Sequence, residues 1–330
     1  MSAHPYSAAA LRRGAWHFLS GKALSGLLTF VILLWLVRLL PVAEYGAYAS
    51  LIAAAELVFA LGGLGLPWAA ARYLPEARLN ARPDMTRTLT LRMLAWQSAV
   101  FFVLAVLAGL ASDVLLPWLN LTVATGAALA WAALIFTEGA GRFLREALLG
   151  PLMQQEAVRT SQVARQIVFL ILLGALVAAQ KASLTAVLAA ELLASLVSAL
   201  LAHIALLRHL REQPEPMDGR TWVVPTGRDL WSVALPMYGG HLLTLAYGPQ
   251  VFLLLLQRVA GAEAAAVFGF LRNLHEQLAR YLPATLLFSL VRPKLVASYV
   301  GGGGMTELTR NANLAGKLSL AALMPMLGFA

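Results

Sequence analysis

Cysteine is absent from the 330 residues, which excludes disulfides, thiolate catalysis and cysteine-bound zinc. Charge is scarce as well. Only 12% of the residues are Asp, Glu, Lys or Arg, against roughly 25% in a soluble domain, whereas 60% are hydrophobic. With a mean hydropathy of +0.73, the chain reads as a polytopic membrane protein and not as a soluble one. Acidic residues are the scarcer sign, 16 against 25 basic, for a net charge of +9. Such an excess suits either nucleic acid or orientation in a membrane, and the positions of the basic residues decide between them.

Apolar windows long enough to cross a bilayer of about 30 Å lie near 14–40, 45–67, 90–111, 121–143, 161–179, 183–207, 230–256, 262–290 and 312–330. They predict nine spans in an all-α membrane bundle. The first span follows Arg12 and Arg13 but is longer than the core of a cleaved signal, roughly 7 to 15 residues. When the spans alternate, Arg38, Lys181 and Arg258 fall on one side, Arg272 lies in mid-span, and the remaining basic residues share the other side. Arg142, Arg145, Arg159 and Arg165 are among those assigned to that basic side. Positive residues stay cytoplasmic, so the N-terminus is expected inside, and the basic balance needs no nucleic acid.

Loops on the far side are short: Pro41 to Glu44, Ser112 to Asn120, Gln180 to Ala182 and Gln257 to Gly261. The one long polar connector, Arg208 to Arg228, holds Pro214, Pro216 and Pro225. It divides the chain into an expected six-span lobe over 1–210, a cytoplasmic connector over 211–228, and the first three spans of a second lobe over 229–330. Gly301 to Gly304 read as a cytoplasmic hinge, and no Gly-Lys-Ser/Thr follows to make a P-loop.

One apolar run carries a charged stripe. Arg272, Glu276 and Arg280 recur every four residues, so on a helix they share a face with Gly269 and Asn273. Charges at bilayer depth cost on the order of 3 kcal/mol each and face a protein interior or a water-filled cavity. A hydrophilic pathway is therefore expected here; a structural ion pair of Glu276 with one or both arginines is the alternative. The stripe also belongs to an internal repeat. Arg38, Glu56 and Arg72 have the spacings of Arg258, Glu276 and Arg292, at an offset of 220 residues. Six spans separate the copies, and an even number preserves orientation, so the two lobes are expected to be related by an axis along the membrane normal. The expected fold is a two-lobed, six-plus-six bundle whose second lobe is incomplete, as in a fragment.

The stretches Arg38-Leu-Leu-Pro41-Val-Ala-Glu44-Tyr45-Gly46-Ala-Tyr48, Leu61-Gly-Gly-Leu-Gly-Leu66 and Arg72-Tyr73-Leu74-Pro75-Glu76 resemble the opening of bacterial polysaccharide-biosynthesis flippases. These belong to the multidrug/oligosaccharidyl-lipid/polysaccharide transporter superfamily, which also contains the multidrug and toxin extrusion transporters. Members have twelve to fourteen spans in two six-span lobes. The resemblance implies translocation of an undecaprenyl-pyrophosphate-linked oligosaccharide to the outer leaflet of the cytoplasmic membrane, through a cationic cavity between the lobes. Its implied partners are that lipid-linked oligosaccharide, membrane lipids, and the polysaccharide polymerase and glycosyltransferases of the pathway.

For substrate contact the candidates are Arg272, Arg280 and Asn273 on the stripe, with His241 and Gln250 in the seventh span, where Tyr238, Gly239, Gly240 and Tyr247 suit sugar. Arginine offers a planar, multidentate fork to phosphate. For coupling or gating they are Glu276 and its repeat equivalent Glu56, as intramembrane carboxylates able to carry a proton, and the i,i+4 pair Glu138 and Arg142. A solvated helix end is the alternative for the latter pair. Arg38 and Arg258 are expected to anchor outer loops by pairing with Glu44 and Glu263, and Trp16, Trp35, Trp68, Trp96, Trp118 and Trp131 mostly to occupy interfacial belts or lipid-facing positions. No metal site or cofactor is expected: His275-Glu276-Gln-Leu-Ala279 starts like H-E-x-x-H, but Ala279 replaces the second ligand. A multidrug or cation antiporter of the same superfamily is the nearer alternative. A glycan polymerase or ligase is the more distant one, since every outer loop is short.

Overall fold

The computed structural model describes residues 8–212 and 222–280, with positions 309, 310, 313, 316 and 317. The expected ninth span, the Gly301 to Gly304 hinge, Pro283, Arg292 and most of the connector lie outside the described residues, as does the side chain of Arg280. Within them the chain is helical, and no strand occurs among the described residues. The helices are α1 Ala8–Leu39, α2 Val42–Gly62, α3 Leu66–Asn80, α4 Pro83–Leu110, α5 Ser112–Trp118, α6 Thr125–Arg142, α7 Gln155–Ala178, α8 Leu184–Arg211, α9 Gly227–Ala246 and α10 Pro249–Arg280. A π-helical stretch, Phe143–Leu149, extends α6. Seven helical segments are long and apolar enough to cross a membrane, the last running from Gly227 to Gln277.

Local chemistry sets the boundaries. Pro41 ends α1 and precedes α2, and Pro67 opens α3 in its first turn, where a missing N–H is harmless. Thr226 and Asp229 form a reciprocal capping box at the start of α9, with Asp229 Oδ2 accepting from Thr226 N at 2.8 Å. Gly65 turns the chain at φ +77 where a Cβ would collide with the carbonyl of Ala234 on α9, so only glycine fits.

Two departures from the hydropathy reading stand out. The seventh span, expected unbroken over 230–256, is interrupted at Tyr247 and Gly248, because Pro249 cannot continue the ladder from α9. The outer loop expected at Gln257 to Gly261 shrinks to a single non-helical residue, Gly261, at φ 84. The two halves of α10 therefore turn back on each other, and both pack against α2. Ser50 Oγ bonds to Gln257 at 3.1 Å on the first half, and Gly46 touches the Ala262 carbonyl on the second. Gly46 with Ala262 and Glu56 with Arg272 share one sequence offset, so α2 and the second half of α10 run parallel through this stretch. Small residues let the backbones approach: a Cβ on Gly269 would sit 2.7 Å from that of Ala49.

The first six spans bury two apolar clusters, one above the other. One gathers Leu36, Leu51, Trp131, Ile135, Leu173 and Leu188; the other gathers Leu74, Leu89, Leu144, Leu148, Leu206 and Leu210. Where they meet on α6, α7 and α8 stand the polar residues Glu138, Arg165, Glu191, Ser195 and Ser198. A charged belt thus crosses these helices near the middle of their length.

Candidate functional site

Glu138 is the centre of the belt. Its Oε1 accepts from Arg142 Nε at 2.9 Å, one turn on, and from Arg145 Nη2 at 3.0 Å. Arg145 stands in the π-helical stretch, a rare geometry found mostly at functional positions, and its Nη1 donates to Ser198 Oγ at 2.9 Å. Arg165 approaches from α7: Nε stands 3.2 Å from Glu138 Oε2 while donating to Ser195 Oγ at 3.0 Å, and Nη2 donates to Glu191 Oε1 at 2.9 Å. Tyr48 on α2 closes the chain of bonds by donating to Glu191 Oε2 at 2.9 Å. Three guanidiniums meet two carboxylates, which leaves a formal charge of one positive.

Across from it lies a cluster of opposite sign. Arg272 Nε donates to Glu276 Oε1 at 2.8 Å, and its Nη2 donates to Glu56 Oε2 on α2. Gln250 Nε2 approaches the same Glu56 oxygen at 3.5 Å. Here one guanidinium lies between two carboxylates, and the formal charge is one negative. Glu56 and Glu276, the two glutamates matched by the 220-residue spacing, converge on the same arginine.

Two cavities adjoin along this seam. One, of about 430 Å³, touches both clusters and is lined further by Lys22, Glu146 and Asn273. Five cationic side chains and five carboxylates line it, so its charge is separated between two walls with no net excess. The other, of about 800 Å³, shares Glu56, Arg142, Glu146 and Glu276 and adds His241, Gln250 and the aromatic rings of Phe59, Trp68, Phe101 and Phe143. Trp68 and His241 meet edge to face at 5.3 Å between centroids, and the Arg142 guanidinium lies 4.8 Å from the Phe59 centroid.

Every candidate residue whose side chain is described lines one or both cavities: Glu56, Glu138, Arg142, Arg272, Asn273 and Glu276 the first, and His241 and Gln250 the second. Several environments differ from expectation. Arg272, expected to be only partly neutralised, is held by two carboxylates and is 5% exposed, because α2 delivers Glu56 to it. Glu138 does not cap a solvated helix end; its side chain is 5% exposed. Arg145 and Arg165, expected on the basic side, lie in the bundle interior: α6 continues through its π-helical extension past the window ending at 143, and Arg165 stands well inside α7, which begins at Gln155. Glu191 and Tyr48 join the site without being among the candidates: Glu191 is a lone polar residue in an apolar span, and Tyr48 is marked only as the end of the 38–48 stretch.

The outer loops also pair differently. Glu44 accepts from Leu184 N at 2.7 Å at the start of α8, and Arg258 donates to the Trp118 carbonyl and stacks on its ring at 4.0 Å. Trp131 is no belt residue; it is 1% exposed and donates to the Leu51 carbonyl at 2.7 Å.

Seven helical segments long and apolar enough to cross a membrane, around an interior that carries separated charge, define a multi-pass membrane protein. The comparisons agree on the fold. A MATE solved in complex with Br-NRF superposes with a TM-score of 0.64 at 16% identity, over 97% of this chain and 76% of that one. A MOP superfamily transporter from Pyrococcus furiosus, described as having a binding pocket of reversed polarity, gives 0.67 at 15% identity over 97% and 71%. A multidrug resistance MATE family transporter in an outward-facing conformation gives 0.64 at 16% identity over 97% and 71%. No curated protein sequence matches significantly. Residues 11–290 match the family model described as polysaccharide biosynthesis protein, and the chain belongs to that family.

Proposed function

We propose that this protein moves an undecaprenyl-pyrophosphate-linked oligosaccharide from the inner to the outer leaflet of the bacterial cytoplasmic membrane. Residues 1–210 and those from 229 onward act as two lobes about the connector 211–228 and open alternately to either side, with the N-terminus in the cytoplasm. The observation that carries this reading is the trio Arg142, Arg145 and Arg165 at mid-depth beside the cavity, in a chain of the polysaccharide biosynthesis family. A pyrophosphate crossing hydrocarbon needs charge-assisted donors, and guanidinium forks supply several at once. Arg142, with 38% of its side chain exposed, is the member with room to bond a ligand, while Arg145 and Arg165 hold the wall positive. Glu56 and Glu276, which outnumber the arginine they share, are suited to take up a coupling proton. Glu138 serves as counter-ion to the trio. The polymerase and glycosyltransferases of a polysaccharide pathway are the implied partners.

Headgroup translocation in proteoliposomes tests the reading. Arg142→Gln is expected to lower the rate at least tenfold, and flipping unchanged by Arg142→Gln would remove the anchor. A second reading rests on the aromatic cavity, whose carboxylates Glu56, Glu146 and Glu276 stand among four aromatic rings and suit an aromatic cation. Efflux of such a cation with no lipid movement would establish that antiporter reading instead.

A further inference from the structure

We infer a second anion site, for a phosphate-bearing group, between the N-terminal parts of α1 and α7. A cavity of about 320 Å³ opens there, beside the central cavity. His17 and Lys22 of α1 and Arg159, Gln155 and Gln162 of α7 line it, with Glu146 the one carboxylate on its wall. Arg145 also lines it but is already bonded to Glu138 and Ser198.

His17, Arg159 and Gln155 carry only long or incomplete polar contacts. His17 Nδ1 is buried without a hydrogen-bond partner. Its Nε2 lies 3.7 Å from Glu156, whose side chain is 69% exposed. Arg159 reaches only as far as Ser20 Oγ at 3.4 Å, and Gln155 bonds the Gly150 carbonyl at 3.4 Å. Gly21 makes room for this arrangement: the Arg159 stem lies 2.6 Å from where a Cβ would stand, so the guanidinium is drawn in against α1. Donors from two facing helices with one opposing carboxylate fit the tetrahedral, multiply accepting oxygens of a phosphate. Lys22, Gln162 and Glu146 line the central cavity too, so the pocket adjoins it. That the pocket receives the substrate before the central cavity does rests on the flippase reading; the binding itself does not.

The absence of cysteine makes the test clean. A single cysteine at a pocket wall, Val158→Cys, is labelled with a water-soluble maleimide in lipid nanodiscs. One arm adds inorganic pyrophosphate to phosphatidylcholine discs; the other uses discs containing phosphatidic acid and no free phosphate. Labelling is expected to slow several-fold, and protection in the first arm assigns a free phosphate ligand, in the second a lipid headgroup. His17→Gln with Arg159→Gln is expected to restore the unprotected rate, and so is Gln162→Glu, which adds repulsion without removing bulk. No protection in either arm, or protection surviving both variants, overturns the site. Arg142→Gln lies outside this pocket and should leave protection intact; protection in a chain that flips no lipid would keep this site and sink the transport reading.

Discussion

Replacing Glu138 by glutamine keeps the shape of the belt and removes the charge that three arginines share. Arg142, Arg145 and Arg165 all approach its carboxylate within 3.2 Å, and the Arg145 and Glu138 side chains are both 5% exposed. Breaking a buried pair by removing one partner costs about 3–5 kcal/mol, because the remaining charge is stranded. Arg142 is 38% exposed and water screens it, so the loss comes mainly from Arg145 and Arg165. The expected destabilisation is about 4 kcal/mol, a several-hundredfold change in the folded ratio at about 1.4 kcal/mol per tenfold. Unfolding by sodium dodecyl sulfate in mixed micelles, followed by far-ultraviolet circular dichroism, measures it. Glu156→Gln is the control: its side chain is 69% exposed, and a change within about 0.5 kcal/mol is expected. Adding Arg145→Met to Glu138→Gln removes the most buried stranded cation and should recover part of the loss, through a coupling of about 0.5–3 kcal/mol. A Glu138→Gln protein as stable as Glu156→Gln, or a double variant showing the plain sum of its singles, would refute the argument.

At the crossing of α2 and α10, Gly46→Leu forces the backbones apart where Gly46 meets the Ala262 carbonyl, and a loss of about 1–3 kcal/mol in the same unfolding assay is expected. An unchanged midpoint would mean that the crossing is looser than described. Trp131→Phe removes the donor to the Leu51 carbonyl inside the bundle and should cost about 0.5–1.5 kcal/mol, again read as a shift in midpoint. In proteoliposomes, Glu276→Gln is expected to abolish the dependence of headgroup translocation on an imposed pH gradient, with Glu56→Gln giving a smaller effect. Full dependence in both variants would dismiss the coupling role.

Much of the fold was legible because lipid imposes length and polarity on every span, and the apolar windows mark the spans over the described residues. Hydropathy fails where a helix is polar. The helix α3 carries Arg72, Glu76 and Arg78, so a window sees a loop, although Gly65 followed by Pro67 is a helix-start signal in plain sight. The same blindness cuts α6 short of Arg145 and α7 short of Arg159, so both cations read as cytoplasmic loop residues. At the site, the period of four and the repeat brought out Glu56, Arg272 and Glu276 from spacing alone. That Glu56 reaches Arg272 was not readable, since it depends on how closely Gly46 and Gly269 let two distant helices approach. Glu191 and Tyr48 have no charge periodicity to mark them; only the packing of α2 and α7 on α8 gives them partners.

The belt between the two apolar clusters also fixes how far each helix can slide. Leucine and alanine surfaces fit a neighbour nearly as well after a one-turn slip, and in lipid no hydrophobic gain distinguishes the two alignments. Glu138, Arg165 and Glu191 do distinguish them. A slip of one turn, about 5.4 Å, would carry bonds of 2.9–3.2 Å out of reach and leave charges facing leucine. The belt therefore works as a vernier: it locks α6, α7 and α8 at one height, and it would do so in a variant that carried no substrate at all.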